Sequence, residues 1–130
     1  MNLTSIINNT TNWHIEAGNA LEVLKKVPDS FIQVSLTSPP YYGLRDYENQ
    51  FQLGIEKTPK DYIDKIVIIY KEIKRILRDD GTVWINMGDK YTIGNKKIYK
   101  NLHLKHKDLM GLPWELAFAL RFNALHFTHG

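Results

Sequence analysis

Apolar residues recur at two different periods along this chain, and each period predicts a different kind of element. Apolar and polar residues alternate from Phe31 to Thr37, and the alternation returns from Thr82 to Met87. A period of two is typical of a β-strand. Between these segments, apolar residues lie three and four positions apart, which predicts one face of an amphipathic helix. The residues of this stripe are Ile63, Ile66, Tyr70, Ile73 and Leu77.

The ends of these elements carry their own signals. The prolines Pro39 and Pro40 stop the first strand, because neither has an N–H to donate to a neighbouring strand. Thr58 followed by Pro59 predicts a helix start with a hydroxyl cap. Gly81 is predicted to end that helix in a left-handed conformation.

Shorter signals predict further elements on both sides. Trp13 to Glu16 alternates and is interpreted as a short strand. Asn19 is predicted to cap a helix that runs from Ala20 to Lys26, and another helix is predicted from Leu112. The stretches without a regular period, interpreted as loops, are 42–57 and 90–107.

Strand, long helix, strand and helix in this order predict an α/β fold with a mostly parallel sheet. A doubly wound domain normally has five or more strands, so the two or three predicted here indicate only part of such a fold. The expected layout is a polar segment over residues 1–12, the folded part over 13–121 and a divergent tail over 122–130.

Composition narrows the class of function without deciding it. The chain has 130 residues, 17 basic against 14 acidic side chains and a pI near 9.0. This mild positive charge suits a phosphate backbone as partner, but it is equally common in domains that bind nothing anionic. The chain has no cysteine, which excludes disulfides and thiolate chemistry. No apolar run approaches the roughly 20 residues of a membrane span and no signal-peptide pattern begins the chain, so a cytoplasmic location is expected.

The strand that ends at Thr37 leads into Ser38, Pro39, Pro40 and Tyr41. The carboxyl edge of a parallel sheet is where ligands bind in open α/β folds. The prolines supply carbonyl acceptors at fixed angles, Ser38 supplies a hydroxyl, and Tyr41 offers an aromatic face. Such a corner suits a flat ring with an exocyclic amine, because two acceptors can take the amine hydrogens and make its nitrogen more nucleophilic.

The stretch TSPPYYGLRDY, from Thr37 to Tyr47, resembles the catalytic motif of the DNA amino-methyltransferases that act on cytosine N4 or adenine N6. Three further segments resemble the same family in the same order, so the similarity covers about residues 13–121. They are Gly18–Leu21, Arg75–Gly81 and Lys107–Trp114. The resemblance implies a Rossmann-like, S-adenosylmethionine-dependent methyltransferase fold. The form with Ser38 before the prolines is associated mainly with cytosine N4, and adenine N6 remains the alternative.

The resemblance also implies roles for individual residues. Ser38 and the carbonyl of Pro39 would hold the amine of a base flipped out of double-stranded DNA, and Tyr41 would stack on that base. Asn19 and Ala20 would lie on the side of the cofactor, S-adenosylmethionine. Tyr42 and Arg45 are candidates for the nucleic-acid side of the pocket, and a solvated loop is the alternative for this pair.

Some expected parts of the family are not found in the sequence. The glycine-rich cofactor loop is absent, and the resemblance to the permuted branch places it after the catalytic motif, beyond residue 130. The target-recognition region is also expected there. We therefore expect a truncated or split enzyme that needs a C-terminal half or partner chain, or an inactive remnant. Methyltransferases of RNA or of protein glutamine are a further alternative, although they generally carry Asn or Asp at the position of Ser38.

The other conspicuous side chains have structural interpretations. Trp84 and Trp114 are interpreted as core residues, and a structural cap is favoured for Asn86 and Asp89. The histidines show no regular ligand spacing, so no metal site is predicted. The four in the C-terminal part of the chain lie at positions 103, 106, 126 and 129, and the fifth is His14.

Overall fold

A computed structural model describes residues 3–8, 12–46, 48, 52–94, 102–123 and 125. The described part contains short helices α1 (Leu3–Ile7) and α2 (Ala20–Leu24), strand β1 (Ile32–Thr37) and the long helix α3 (Pro59–Ile76). Strand β2 (Leu77–Ile85) and helix α4 (Leu112–Asn123) follow.

Strands β1 and β2 pair in parallel, with α3 as the crossover between them. Val34 pairs with Thr82, and Leu36 pairs with Trp84. Pairing continues beyond the strand end, because the Asn86 N–H donates to the Thr37 carbonyl at 2.9 Å. The predicted α/β architecture with a parallel sheet is confirmed.

Helix α3 forms the centre of the core, as its apolar stripe predicts. Thr58 caps it by accepting a hydrogen bond from the Asp61 N–H at 3.0 Å. Its buried face packs against α4 and one face of the sheet. The buried members of this cluster are Tyr62, Ile63, Ile66, Val67, Tyr70, Ile73, Leu116 and Leu120.

The opposite face of the sheet is bare in the described structure. Ser35 is buried beneath α3, whereas Val34 and Leu36 are 55% and 77% exposed. Trp84, beside Leu36 on this face, is 62% exposed, and Trp114 on the outer side of α4 is 63% exposed. The prediction that these tryptophans are core residues is therefore wrong, since α3 and α4 both pack against the other face.

Several predicted boundaries also differ. Gly81 does not end α3: the helix stops at Ile76, and Gly81 lies within β2, where a Cβ would come 2.9 Å from the Gln33 carbonyl oxygen. Residues 78–81 bulge out of the ladder, because Ile32 pairs with Leu77 while Val34 already pairs with Thr82.

At the N-terminal side, the cap by Asn19 is confirmed, but α2 ends at Leu24, two residues earlier than expected. Trp13 to Glu16 pairs with no described strand, so the short strand predicted there is wrong. In the tail, Phe122 and Asn123 belong to α4, and most of the remainder lies outside the described residues.

Candidate active site at the end of strand β1

The corner after β1 lines a cavity of about 450 Å³. Because β1 ends at Thr37, the next four residues lie at the carboxyl edge of the parallel pair. Five of the predicted site residues meet there, together with Leu44. They are Ser38, Pro39, Pro40, Tyr41 and Arg45.

Two glycines allow Tyr41 to pack closely on both its backbone and its ring. A Cβ on Gly54 would stand 2.8 Å from the Tyr41 carbonyl oxygen, and a Cβ on Gly88 would stand 3.0 Å from its ring. Gly54 also has a φ of +97°, a conformation that side chains rarely adopt. Tyr41 is thus held between the loop before α3 and the residues that follow β2.

The carbonyl of Pro40 accepts a hydrogen bond from a side chain of α3. Tyr62, in the first turns of α3, is fully buried and donates its hydroxyl hydrogen to this oxygen at 2.7 Å. Burial, with the nearby charge of Glu56 as a smaller cause, raises the pKa of Tyr62 well above its ordinary value. The hydroxyl therefore stays protonated and remains a donor.

Tyr42 does not line the cavity. Its ring packs on Tyr62 with centroids 5.5 Å apart, and the ammonium of Lys90 lies 5.7 Å from its centroid. Lys90 also donates to the Gly43 carbonyl at 2.7 Å. The position of Tyr42 supports the loop, and its role in contacting nucleic acid stays a prediction.

Asn19 and Ala20 line a second cleft of about 600 Å³, and Pro40 lies in the walls of both. The oxygen of Asn19 caps α2 by accepting hydrogen bonds from the Leu21 and Glu22 N–H groups at 3.0 and 3.4 Å. The cleft combines apolar side chains with polar groups, so it suits a ligand that has both an apolar ring and polar atoms. Its other lining residues are Gly18, Leu21, Gln52, Leu53, Lys65, Ile68 and Ile69.

Asp89 caps helix α4, which is the structural role predicted for it. Its carboxylate accepts hydrogen bonds from the Gly111 and Leu112 N–H groups at 2.9 and 3.2 Å, which caps α4. Burial, assisted by the charge of Asp89, raises the pKa of Glu115 in the first turn of α4. The cap favoured for Asn86 stays a prediction.

Sequence reasoning missed four residues around the corner: Gly54, Glu56, Tyr62 and Gly88. Tyr62 follows the Thr58–Pro59 helix start and belongs to the buried face of α3, so its burial could have been predicted. Its hydroxyl partner, a proline carbonyl 22 residues earlier, left no signal in the sequence. Within the described residues, no group of three or more metal-ligating side chains occurs, and no helix is long and apolar enough to cross a membrane.

The sequence model of the N6/N4 DNA methylase family matches residues 32–122. The chain belongs to this family. The matched region includes the corner and both strands, so the residues that line the 450 Å³ cavity all fall within the methylase part of the chain.

Two curated relatives illustrate the similarity. The chain is 45% identical over 120 residues to the Type II methyltransferase M.XycI of Xanthomonas campestris pv. cyanopsidis, covering 80% of this chain and 40% of the relative. It is 40% identical over 129 residues to M.SmaI of Serratia marcescens, covering 87% and 44%. The chain thus spans about two fifths of the length of these methylases.

Solved structures confirm the methyltransferase α/β fold that the resemblance implied. The cytosine-N4-specific PvuII DNA methyltransferase superposes with a TM-score of 0.58 at 17% identity, covering 82% of this chain and 32% of that chain. At that identity the likeness shows the fold alone. TTHA0409 of Thermus thermophilus, solved in complex with S-adenosyl-L-methionine, gives a TM-score of 0.59 at 25% identity and covers 81% and 38%.

Proposed function

We propose that this chain is the base-binding part of a DNA methyltransferase that modifies an exocyclic amine, with cytosine N4 as the favoured target. One observation carries the proposal: Ser38 to Tyr41 line an open cavity at the carboxyl edge of a parallel strand pair, within the region that matches the methylase family. We also propose a cytoplasmic location, in which the chain would have access to DNA.

In the proposed reaction, the oxygen of Ser38 and the carbonyl of Pro39 accept the two amine hydrogens of a flipped base. Electron density on the amine nitrogen would rise, and that nitrogen would attack the donor's methyl carbon. The methyl–sulfur bond would break with its electron pair leaving on sulfur, and the methylated amine would release one proton to solvent. Within the described residues, the Pro39 carbonyl accepts no hydrogen bond from the protein, so it is available for this contact. Tyr41 supplies the stacking face, and Arg45 at the rim attracts the phosphate backbone.

S-adenosylmethionine supplies the electrophilic methyl group when it is bound. We assign part of its site to the 600 Å³ cleft of Asn19 and Ala20, because Pro40 separates this cleft from the base cavity. A donor and an acceptor bound on the two sides of one residue would lie close together. The mixed apolar and polar lining fits the adenosine and methionine parts of the cofactor.

We further propose that the rest of a methylase domain, in cis or as a partner chain, completes the site. The relatives carry more than half of their length outside the matched region, and the relatives' names place them in Type II systems. The described chain leaves the apolar sheet face of Val34, Leu36 and Trp84 bare. Strands and helices from a complementing segment would cover it.

The test is reassembly of the enzyme. The chain is co-expressed with the region of M.XycI that it does not cover, and methyl transfer from labelled S-adenosylmethionine to mixed-sequence DNA is measured. Ser38→Ala and Tyr41→Ala are expected to lower the rate by about a hundredfold, because each removes a contact to the reacting base. Tyr91→Ala is the matched control, since Tyr91 is exposed and does not line the cavity.

Product analysis identifies the target. N4-methylcytosine in digested DNA supports the favoured assignment, and N6-methyladenine supports the alternative. Unchanged rates in the Ser38 and Tyr41 variants would contradict the proposed role of the corner. No transfer by the reassembled wild-type protein would indicate an inactive remnant, and transfer only to RNA or to a protein would move the chain to another substrate class.

A further inference from the structure

The carbonyl groups of Pro39 and Pro40 are chemically alike but differently engaged. Tyr62 donates to the Pro40 oxygen at 2.7 Å, from a side chain that is fully buried. The two prolines have no N–H, so the backbone at this point has little other hydrogen bonding to fix its orientation. Each proline ring fixes φ but leaves ψ free, so the contact from Tyr62 helps to hold the orientation of the Pro40 carbonyl.

A second set of contacts holds the neighbouring backbone. Glu56 has a side chain that is only 2% exposed, and it accepts a hydrogen bond from the Gly54 N–H at 2.8 Å. Its other oxygen lies 3.0 Å from the ammonium of Lys65 on α3. Gly54 in turn accepts from the Gly43 N–H at 2.5 Å and lies against the Tyr41 carbonyl.

The two sets of contacts meet at the corner. Tyr62 bonds Pro40, and Glu56 fixes Gly54, which packs against Tyr41. Both originate in α3 or in the turn before it, so the position of the corner depends on the N-terminal end of this helix. The network lies on the protein side of the corner, because Tyr62 is buried and lines neither cleft.

We propose that Tyr62 and Glu56 are positioning residues for the methyl-transfer reaction, which rests on the function proposed above. Tyr62 occupies the carbonyl of Pro40 and turns the peptide so that the carbonyl of Pro39 alone is presented to the amine. Glu56 holds Gly54 against the Tyr41 carbonyl and so fixes the position of the Tyr41 ring in the cavity. Neither residue touches the base or the cofactor.

The first test replaces only the hydroxyl group. In the reassembled enzyme, Tyr62→Phe is expected to lower kcat by about ten- to a hundredfold, because a small misplacement of reacting groups has effects of that size. The KM for DNA is expected to change little. Tyr70→Phe is the matched control: Tyr70 is also buried on α3, and its hydroxyl bonds the side chain of Thr37 instead of the corner backbone.

The second test uses conservative rescue. Glu56→Ala removes the acceptor for the Gly54 N–H and is expected to lower kcat as Tyr62→Phe does. Glu56→Gln keeps an oxygen at the same place and is expected to recover most of the rate. Equal losses in the alanine and glutamine variants would overturn the role given to Glu56.

A third measurement does not depend on activity. The chain alone is labelled with 13C at the proline carbonyls, and the Pro40 resonance is expected to shift in Tyr62→Phe but not in Tyr70→Phe. An active wild type with equal kcat in the two phenylalanine variants would overturn the positioning role of Tyr62. An inactive wild type would instead overturn the proposed function and the positioning role with it, while the carbonyl shift still reports whether the contact exists.

Discussion

Gly54 is the residue at which conformation and close contact act together. Its φ of +97° favours glycine, and a Cβ at this position would stand 2.8 Å from the carbonyl oxygen of Tyr41. Gly111 has a similar φ of +77°, but no atom lies within 4 Å of where its Cβ would be. A substitution at Gly111 would introduce backbone strain only, whereas the same substitution at Gly54 would add a steric clash at the candidate site.

We expect Gly111→Ala to lower the free energy of unfolding by about 1–2 kcal/mol through strain alone. Gly54→Ala should lower it further, because the Cβ would be 2.8 Å from the Tyr41 oxygen. Urea denaturation of both variants measures the difference. In the reassembled enzyme, Gly54→Ala should also reduce methyl transfer, and equal effects of the two substitutions on stability would contradict the clash.

Helix α3 is the element that joins the core to the candidate site. Its buried face carries two tyrosines, and their hydroxyl groups bond the end of β1 and the corner that follows it. Burial raises the pKa of Tyr70, and the hydrogen bond with Thr37 partly opposes this shift. Burial also raises the pKa of Tyr62.

These shifts predict a loss of stability in alkali. In the unfolded chain a tyrosine ionises near pH 10, whereas both groups remain neutral to higher pH in the folded chain. The two tyrosines therefore contribute fully to the free energy of unfolding below about pH 10. This contribution is lost as the pH rises towards the folded-state pKa values, by up to about 1.4 kcal/mol per pH unit for each tyrosine. Urea midpoints between about pH 8 and 11 measure the slope. Tyr62→Phe and Tyr70→Phe should each reduce it, and Tyr91→Phe, at an exposed position, should not.

Much of this element-level structure could be predicted from the sequence, because it depends on local patterns. The stripe on α3 and the caps by Thr58 and Asn19 involve residues only a few positions apart. The exposure of Trp84 could not be predicted in this way, since it depends on which sheet face the helices cover. The bulge at 78–81 likewise depends on pairing with β1, so Gly81 was misread as a helix end.

The same distinction applies to the site. Ser38 to Tyr41 and Arg45 line one cavity, which their closeness in sequence after a strand makes predictable, while their roles stay predictions. Tyr62 bonds a carbonyl 22 residues earlier, and Glu56 reaches Tyr41 only through Gly54, so both effects depend on contacts that the fold creates. The role of Tyr42 was harder to predict, because a tyrosine is equally suited to stacking on a base and to packing on Tyr62.

On the scale of the whole molecule, two apolar surfaces face outwards in the described structure. One is the bare sheet face, formed by Val34, Leu36 and Trp84. The other lies on the outer side of α4, where residues four positions apart are 63%, 56% and 77% exposed; these are Trp114, Phe118 and Phe122. Surfaces of this kind normally mark contacts with other polypeptide.

We expect the chain alone to bind the dye 8-anilinonaphthalene-1-sulfonate, and the complementing part of M.XycI to displace most of it. Leu36→Ser and Trp84→Ser should each reduce dye binding by the chain alone, because both side chains lie on the sheet face. Ile66→Val, a change inside the core, is the control that leaves this face intact. Dye binding that persists at full strength after reassembly would contradict coverage of these surfaces.

The paired prolines after β1 also affect which bases the site would bind weakly. Since Pro39 and Pro40 have no N–H, the backbone there meets a ring substituent only with oxygen lone pairs. Thymine and uracil carry a keto oxygen where cytosine carries its amine, and two facing acceptors repel each other. Under the proposed function, a cytosine that had lost its amine by deamination would face the Pro39 carbonyl with a keto oxygen, leaving the Ser38 hydroxyl as the one donor among these groups, so it would bind this corner more weakly than cytosine.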